Sequence, residues 1–85
     1  MAENLDIEDL RAMLAQTLEL PLAEIGDESH FTEELEMDSL MSLEIASNLE
    51  SRYAITIRDT DFAQARTLVQ LHDLVAAKIE ERSAA

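Results

Sequence analysis

Leu35-Glu36-Met37-Asp38-Ser39-Leu40-Met41-Ser42-Leu43-Glu44-Ile45 is the stretch on which the reading of this chain turns. Asp is a favoured N-cap: its carboxylate accepts an unpaired N–H of a first helical turn, and its charge suits the positive end of the helix dipole. A helix therefore starts at Asp38-Ser39. At about 100° per residue Leu43, Ile45, Ala46, Leu49 and Tyr53 share one arc, with Ser42 inside it, which predicts a helix over about 39–53 with that arc on the core. Leu40 and Met41 fall outside the arc, beside Ser39, with Glu44 and Asn48 on the same outer face. A large apolar pair at a helix start, rimmed by polar residues, reads as a docking surface.

Further helices lie on either side. Leu5 before Asp6 and Leu10 four positions after it have the spacing of a hydrophobic staple around an N-cap. Ile7, Leu10, Met13, Leu14, Thr17 and Leu18 then share a face, so the pattern predicts a helix over about 7–19, ended by Leu20-Pro21. Near the C-terminus Thr67 and Gln70 form a T-x-x-Q capping box. Leu68, Leu71, Leu74, Val75 and Ile79 share a face there, predicting a helix over about 68–81 with Ser83-Ala84-Ala85 as a frayed tail. Ile55-Thr56-Ile57 is too short and isolated for a sheet, and Asp59-Thr60-Asp61 ahead of Phe62 predicts a small third helix near about 60–64. Residues 20–38 form a loop, long for so small a domain. Leu22, Ile25, Phe31 and Leu35 read as its anchors onto the helices. The expected class is all-α, one domain over 1–85 with its core over 5–81.

Composition sets bounds on function. Of 85 residues, 28 are large and apolar and 12 are Ala, enough for one thin core. Cys and Trp are absent and Gly and Pro occur once each, which excludes a disulfide scaffold, a zinc finger and a Gly-rich phosphate loop. No apolar run approaches the roughly 20 residues of a membrane span, and Met1 to Asp9 is acidic where a signal peptide is basic and apolar. A soluble, cytoplasmic protein is expected. The net charge of −13 is unevenly placed: residues 1–50 hold 14 acids against one base, Arg11, and residues 51–85 hold five of each. With no Lys or Arg between Arg11 and Arg52, nucleic acid and anionic membrane are poor partners, and a charged partner should be basic.

Catalysis by the chain's own side chains finds little support. His30 and His72 are the only histidines, both read as surface or boundary residues, and a triad needs a His placed beside a Ser by a larger fold. Asp27 to Asp38 fails as a calcium loop because Phe31, Thr32 and Asp38 stand where an oxygen ligand, the turn glycine and the bidentate Glu are required. Ser39 remains. At a helix start, unpaired N–H groups and the dipole favour phosphate, so a phosphodiester on this hydroxyl would be held and oriented. The plain alternative makes Asp38-Ser39 a cap pair and nothing more.

The stretch 35–45 resembles the acyl carrier protein signature, L-G-x-D-S-L with its helical continuation. The likeness extends over Asn48-Leu49-Glu50-Ser51-Arg52-Tyr53 as the end of the second helix, Ile55 and Ile57 as the apolar link, Thr67 as the final cap and Phe31 as an anchor before the motif, covering residues 5–81. The resemblance implies a four-helix bundle with Ser39 as the attachment point of 4′-phosphopantetheine. That group would come from coenzyme A through a phosphopantetheinyl transferase with magnesium, and its thiol would carry acyl intermediates as thioesters between enzymes. It implies a non-catalytic monomer whose partners, the transferase, a ketosynthase, an acyltransferase or other acyl-processing enzymes, present basic patches. Asp38, Glu44 and Glu50 match the family's acidic positions and Leu40 and Met41 its exposed apolar contacts, with Glu36 and Met37 bordering the same surface. Leu43 and Leu49 are candidates to line a space for the acyl chain. The family's usual glycine is Glu36 here, so the loop is expected to turn differently before Ser39, narrowing which transferase or ketosynthase accepts the protein.

Glu36-Met37 also replaces both glycines of peptidyl carriers of nonribosomal synthesis. Ser39-Leu40-Met41-Ser42-Leu43-Glu44 is more similar to polyketide than to fatty-acid carriers, and a freestanding protein is expected. The competing reading is an acidic helical adaptor, without a prosthetic group, that docks through Leu40 and Met41.

Overall fold

The computed structural model describes residues 5–84, which form four α-helices: α1 (Ile7–Leu18), α2 (Ser39–Tyr53), α3 (Asp59–Ala63) and α4 (Leu68–Ala84). A single 3-10 turn, Leu22–Glu24, interrupts the loop between α1 and α2. Each helix start follows from its cap. Asp6 accepts the Glu8 N–H at 2.9 Å, and Asp38 accepts that of Met41 at 2.9 Å. At α4 Thr67 Oγ1 accepts the Gln70 N–H at 3.2 Å, while the Gln70 side chain reaches one residue further back than a capping box requires, to the Arg66 N–H at 2.8 Å. α1 and α2 end on the left-handed residues Glu19 and Ala54. Of the expected frayed tail, Ser83 and Ala84 continue α4, and Ala85 lies outside the described residues. The Arg82 guanidinium donates to the Tyr53 carbonyl, which ties that last turn to the end of α2.

α1 packs on both α2 and α4, and α3 rests on α4. The core between them takes Leu10 and Leu14 from α1, Ile45 and Leu49 from α2, and Leu68, Leu71 and Val75 from α4. The loop closes over it. Ile25 and Phe31 are buried as expected and Leu35 is half-buried, but Leu22 is 54% exposed. Leu22 opens the 3-10 turn, and Ile25, at its end, is the residue that reaches the core. Met37 adds an anchor that the pattern did not mark, at 5% exposure.

Polar contacts fix the loop at both ends. Phe31 N–H donates to the Arg66 carbonyl at 2.8 Å and Val69 N–H to the Asp27 carbonyl at 3.1 Å, joining the loop to the start of α4. Arg11, the lone base of residues 1–50, joins it to α1. Its guanidinium pairs with Glu8 at 2.9 Å, with Asp27, and with the Ile25 carbonyl. Glu8 and then Asp27 hold the guanidinium pKa above its ordinary value, so its charge is present at every physiological pH.

Arg11→Ala should therefore lower the unfolding free energy in urea by about 2 kcal/mol, the scale of hydrogen bonds to a charged group. Arg11→Lys should recover little of it, since a point charge cannot serve three acceptors held in a planar fork. A variant as stable as the parent would mean that the apolar anchors alone hold the loop.

Candidate functional site

Ser39 is the first residue of α2 and is exposed. What places it there is the approach. Asp38 is extended, at φ −98° and ψ 179°, so neighbouring side chains point to opposite sides. Met37 goes into the core and Asp38 outward, with its carboxylate turned onto the Met41 N–H. Met37 is thus withdrawn from the candidate docking surface, because its side chain is a loop anchor. Ser42, on the inner side of α2, satisfies its hydroxyl by donating to the Asp38 carbonyl at 3.0 Å.

The exposed apolar pair is not the expected one. Leu43 stands 61% exposed and Leu40 72%, whereas Met41 is half-buried against the core. The buried arc is centred on Ile45, Leu49 and Tyr53, and continues toward Met41 on one side and Ser42 and Ala46 on the other. Leu43 lies beyond it. Of the arc expected from the period, Ser42 keeps its inner place and Leu43 does not. Leu40 and Leu43, one helical turn apart, now share the outer face with exposed Glu44 and Asn48. Glu36 is also exposed, just before the helix.

A groove of about 640 Å³ opens beside Ser39, between α2 and α3. Leu43, Ala46, Ile57, Phe62 and Ala63 give it apolar walls, and Ser42, Ser47, Glu50 and Arg58 add polar groups. Leu49, the other candidate for lining such a space, is fully buried in the core. Glu50 is half-buried, and its carboxylate accepts the Ile57 N–H at 2.8 Å, so it faces the α2–α3 link and not an external partner. On the side of α3 that faces α4, Asp61 accepts the Arg58 N–H at 3.1 Å and pairs with Lys78 at 3.0 Å. These two contacts, the backbone one first, hold its carboxyl below the usual range, so the pair persists until the pH falls below the ordinary aspartate value. The histidines are engaged elsewhere: His30 Nδ1 accepts the Glu33 N–H within the loop, and His72 Nε2 meets the Leu5 carbonyl at 3.1 Å.

Glu36 occupies the left-handed region at φ 55°. The turn before Ser39 therefore takes a shape open to glycine, and the expectation that it would turn differently is corrected. It is held by the buried Met37 side chain and by the Met37 N–H, which donates to the Phe31 carbonyl at 2.9 Å.

Residues 8–75 match the family model described as the phosphopantetheine attachment site. The chain is 36% identical over 75 residues, covering 88% of it and 86% of its relative, to polyketide-8 synthase acyl carrier protein 2 of Streptomyces avermitilis. Over 82 residues it is 35% identical to the meromycolate extension acyl carrier protein of Mycolicibacterium smegmatis, covering 89% of this chain and 80% of that one. Among solved structures, the solution structure of a 3-oxo-butyl acyl carrier protein, an intermediate mimic from the actinorhodin polyketide synthase of Streptomyces coelicolor, superposes with a TM-score of 0.73 at 33% identity. That match covers 95% of this chain and 98% of the other.

The left-handed Glu36 gives a test of the turn. Replacing it by Gly relieves about 1 kcal/mol of steric cost and gives back about half of that through the looser unfolded chain. Glu36→Gly should thus raise the urea midpoint slightly and Glu36→Val lower it; the reverse order would place the turn in another conformation.

Proposed function

The chain belongs to the phosphopantetheine attachment family and is an acyl carrier protein of the polyketide synthase type, and on that premise we propose that Ser39 is the residue that takes the phosphopantetheine group. The observation that carries this is the exposed hydroxyl of Ser39 at the first position of α2, with the groove opening next to it. The protein is a non-catalytic carrier, and its role entails contact with acyl-processing enzymes.

The residues present suit such a group. The first N–H groups of a helix have no acceptor within it, and Asp38 takes only that of Met41. The start of α2 therefore favours a phosphodiester on Ser39 Oγ. Apolar walls broken by Ser42, Ser47 and Arg58 suit a long arm that is partly aliphatic and partly amide. When bound, 4′-phosphopantetheine supplies a terminal thiol on which acyl groups ride as thioesters. Ser39 holds the arm, α2 orients it, and the groove offers shelter from water.

The partners we assign are a phosphopantetheinyl transferase, a ketosynthase and an acyltransferase with basic docking patches. Leu40, Leu43 and Glu44 form the contact face, with Glu36 at its border and Asp38 contributing charge beside Ser39. Leu43 stands both on that face and at the groove rim, so it adjoins the docked enzyme and the arm alike. We place the protein, as a monomer, in the cytoplasm, where coenzyme A for the attachment is available. No helix among the described residues is long and apolar enough to cross a membrane.

Incubation with coenzyme A, magnesium and a broad-specificity transferase should add one phosphopantetheine to the parent and none to Ser39→Ala, read by intact-protein mass. A gain in both, or in neither while both are folded, would refute the assignment. Affinity for a ketosynthase should fall by about tenfold between roughly 0.05 and 0.5 M salt, because exposed charges are screened over that range. A salt-independent affinity would remove the acidic residues from the docking face.

A further inference from the structure

The groove beside Ser39 has walls of unequal anchorage. α2 is built into the core through Ile45, Leu49 and Tyr53. α3 has five residues, too few to stand as an isolated helix, and it rests on α4, where Lys78 lies 3.0 Å from Asp61. The link that leads into it is anchored by the buried Ile55 and Ile57, and a side chain of α2 adds a polar clamp: Glu50 Oε2 accepts the Ile57 N–H at 2.8 Å. The next N–H, that of Arg58, goes to Asp61 Oδ2 at 3.1 Å. Two successive amides at the entry to α3 are thus held by carboxylates, one from α2 and one from α3 itself. Glu50, Ile57 and Arg58 line the same groove as Ser39.

We propose that Glu50 is a positioning residue that sets the width of the α2–α3 groove, and so decides whether an acyl chain on the Ser39 arm is held within it or left in water. The inference rests on Ser39 as the attachment point. A half-buried carboxylate is suited to the task, since a charged acceptor binds an amide more strongly than a neutral one. Its loss leaves the Ile57 N–H without that partner in a half-buried place. The release is one-sided: the Lys78–Asp61 pair still holds α3 on α4, so α3 moves away from α2 without the bundle coming apart.

The test uses the full chain as parent, Glu50→Ala and Glu50→Gln. In the unmodified proteins, amide hydrogen exchange at Ile57 and across Asp59–Ala63 should be about tenfold faster in Glu50→Ala, with α1 and the middle of α4 unchanged. Each protein is then loaded from octanoyl-coenzyme A by the transferase, and the reaction of its thioester with hydroxylamine is followed. Glu50→Ala should react about threefold faster than the parent, in proportion to the population with the chain outside the groove. Glu50→Gln keeps an acceptor oxygen and should stay near the parent in both measurements. Acetyl-loaded proteins, whose chain is too short to be sheltered, should all react alike.

Unchanged exchange at Ile57, a rise spread evenly over all helices, or octanoyl thioesters equally reactive in parent and Glu50→Ala would each overturn the proposal. Failure of all three proteins to load would count against Ser39 as the attachment point, and the exchange data would still decide the role of Glu50.

Discussion

Arg11 brings Glu8, Asp27 and the Ile25 carbonyl onto one guanidinium, and the placement of α2 depends on that contact. A connection this long has many ways to lie, and the hydrogen bonds within it close short local turns that do not by themselves place it on the bundle. Fixing its first third to α1 lets Ile25 and then Phe31 reach the core, and Phe31 in turn receives the Met37 N–H on its carbonyl. Met37 is the last buried step before Asp38 starts the helix. The orientation of Ser39 is thus inherited, contact by contact, from a residue 28 positions earlier. In a chain so short of positive charge, a single guanidinium has no substitute nearby.

The acids divide into two populations that net charge conceals. Asp6, Asp27, Asp38, Glu50 and Asp61 are engaged with the chain itself, as caps, clamps and latches. Glu36 and Glu44 are exposed beside Ser39 and belong to the outward field. An acidic surface and the caps and clamps of the fold are therefore built from the same residue types, and position relative to the helix ends decides which role each takes. Asp38 shows how close the two roles lie, since it closes the helix start with one oxygen while its charge remains beside the Ser39 hydroxyl.

Much of this architecture was legible in the residues, for a physical reason: caps and helical period are local. Asp6, Asp38 and Thr67 fixed the starts of α1, α2 and α4, Asp59-Thr60-Asp61 marked α3, and the Asp-Ser-Leu signature located Ser39. The phase of α2 was harder, because a leucine on a helix boundary gives no sign of which neighbour it will meet. Leu43 faces outward, and Met41 and Ser42 take the two inner flanks, Met41 against the core and Ser42 in the α2–α3 groove. Met37 and Glu50 depend on contacts with Phe31 and Ile57 across irregular segments, where no helical period says which way a side chain turns. The bond from the Arg66 N–H to the Gln70 side chain was likewise invisible in a T-x-x-Q pattern, which pairs Gln70 with Thr67.

Glu19, Glu36 and Ala54 all lie at positive φ, and none of them is a glycine. Residues with a Cβ visit that region only a few per cent of the time when nothing holds them there. In the unfolded chain these three corners are therefore mostly open, and they close only when the segments on either side have already met. The corners after α1, before α2 and after α2 are therefore held by the docked bundle and not by the preferences of their own residues, and the turn that presents Ser39 is a product of the finished fold.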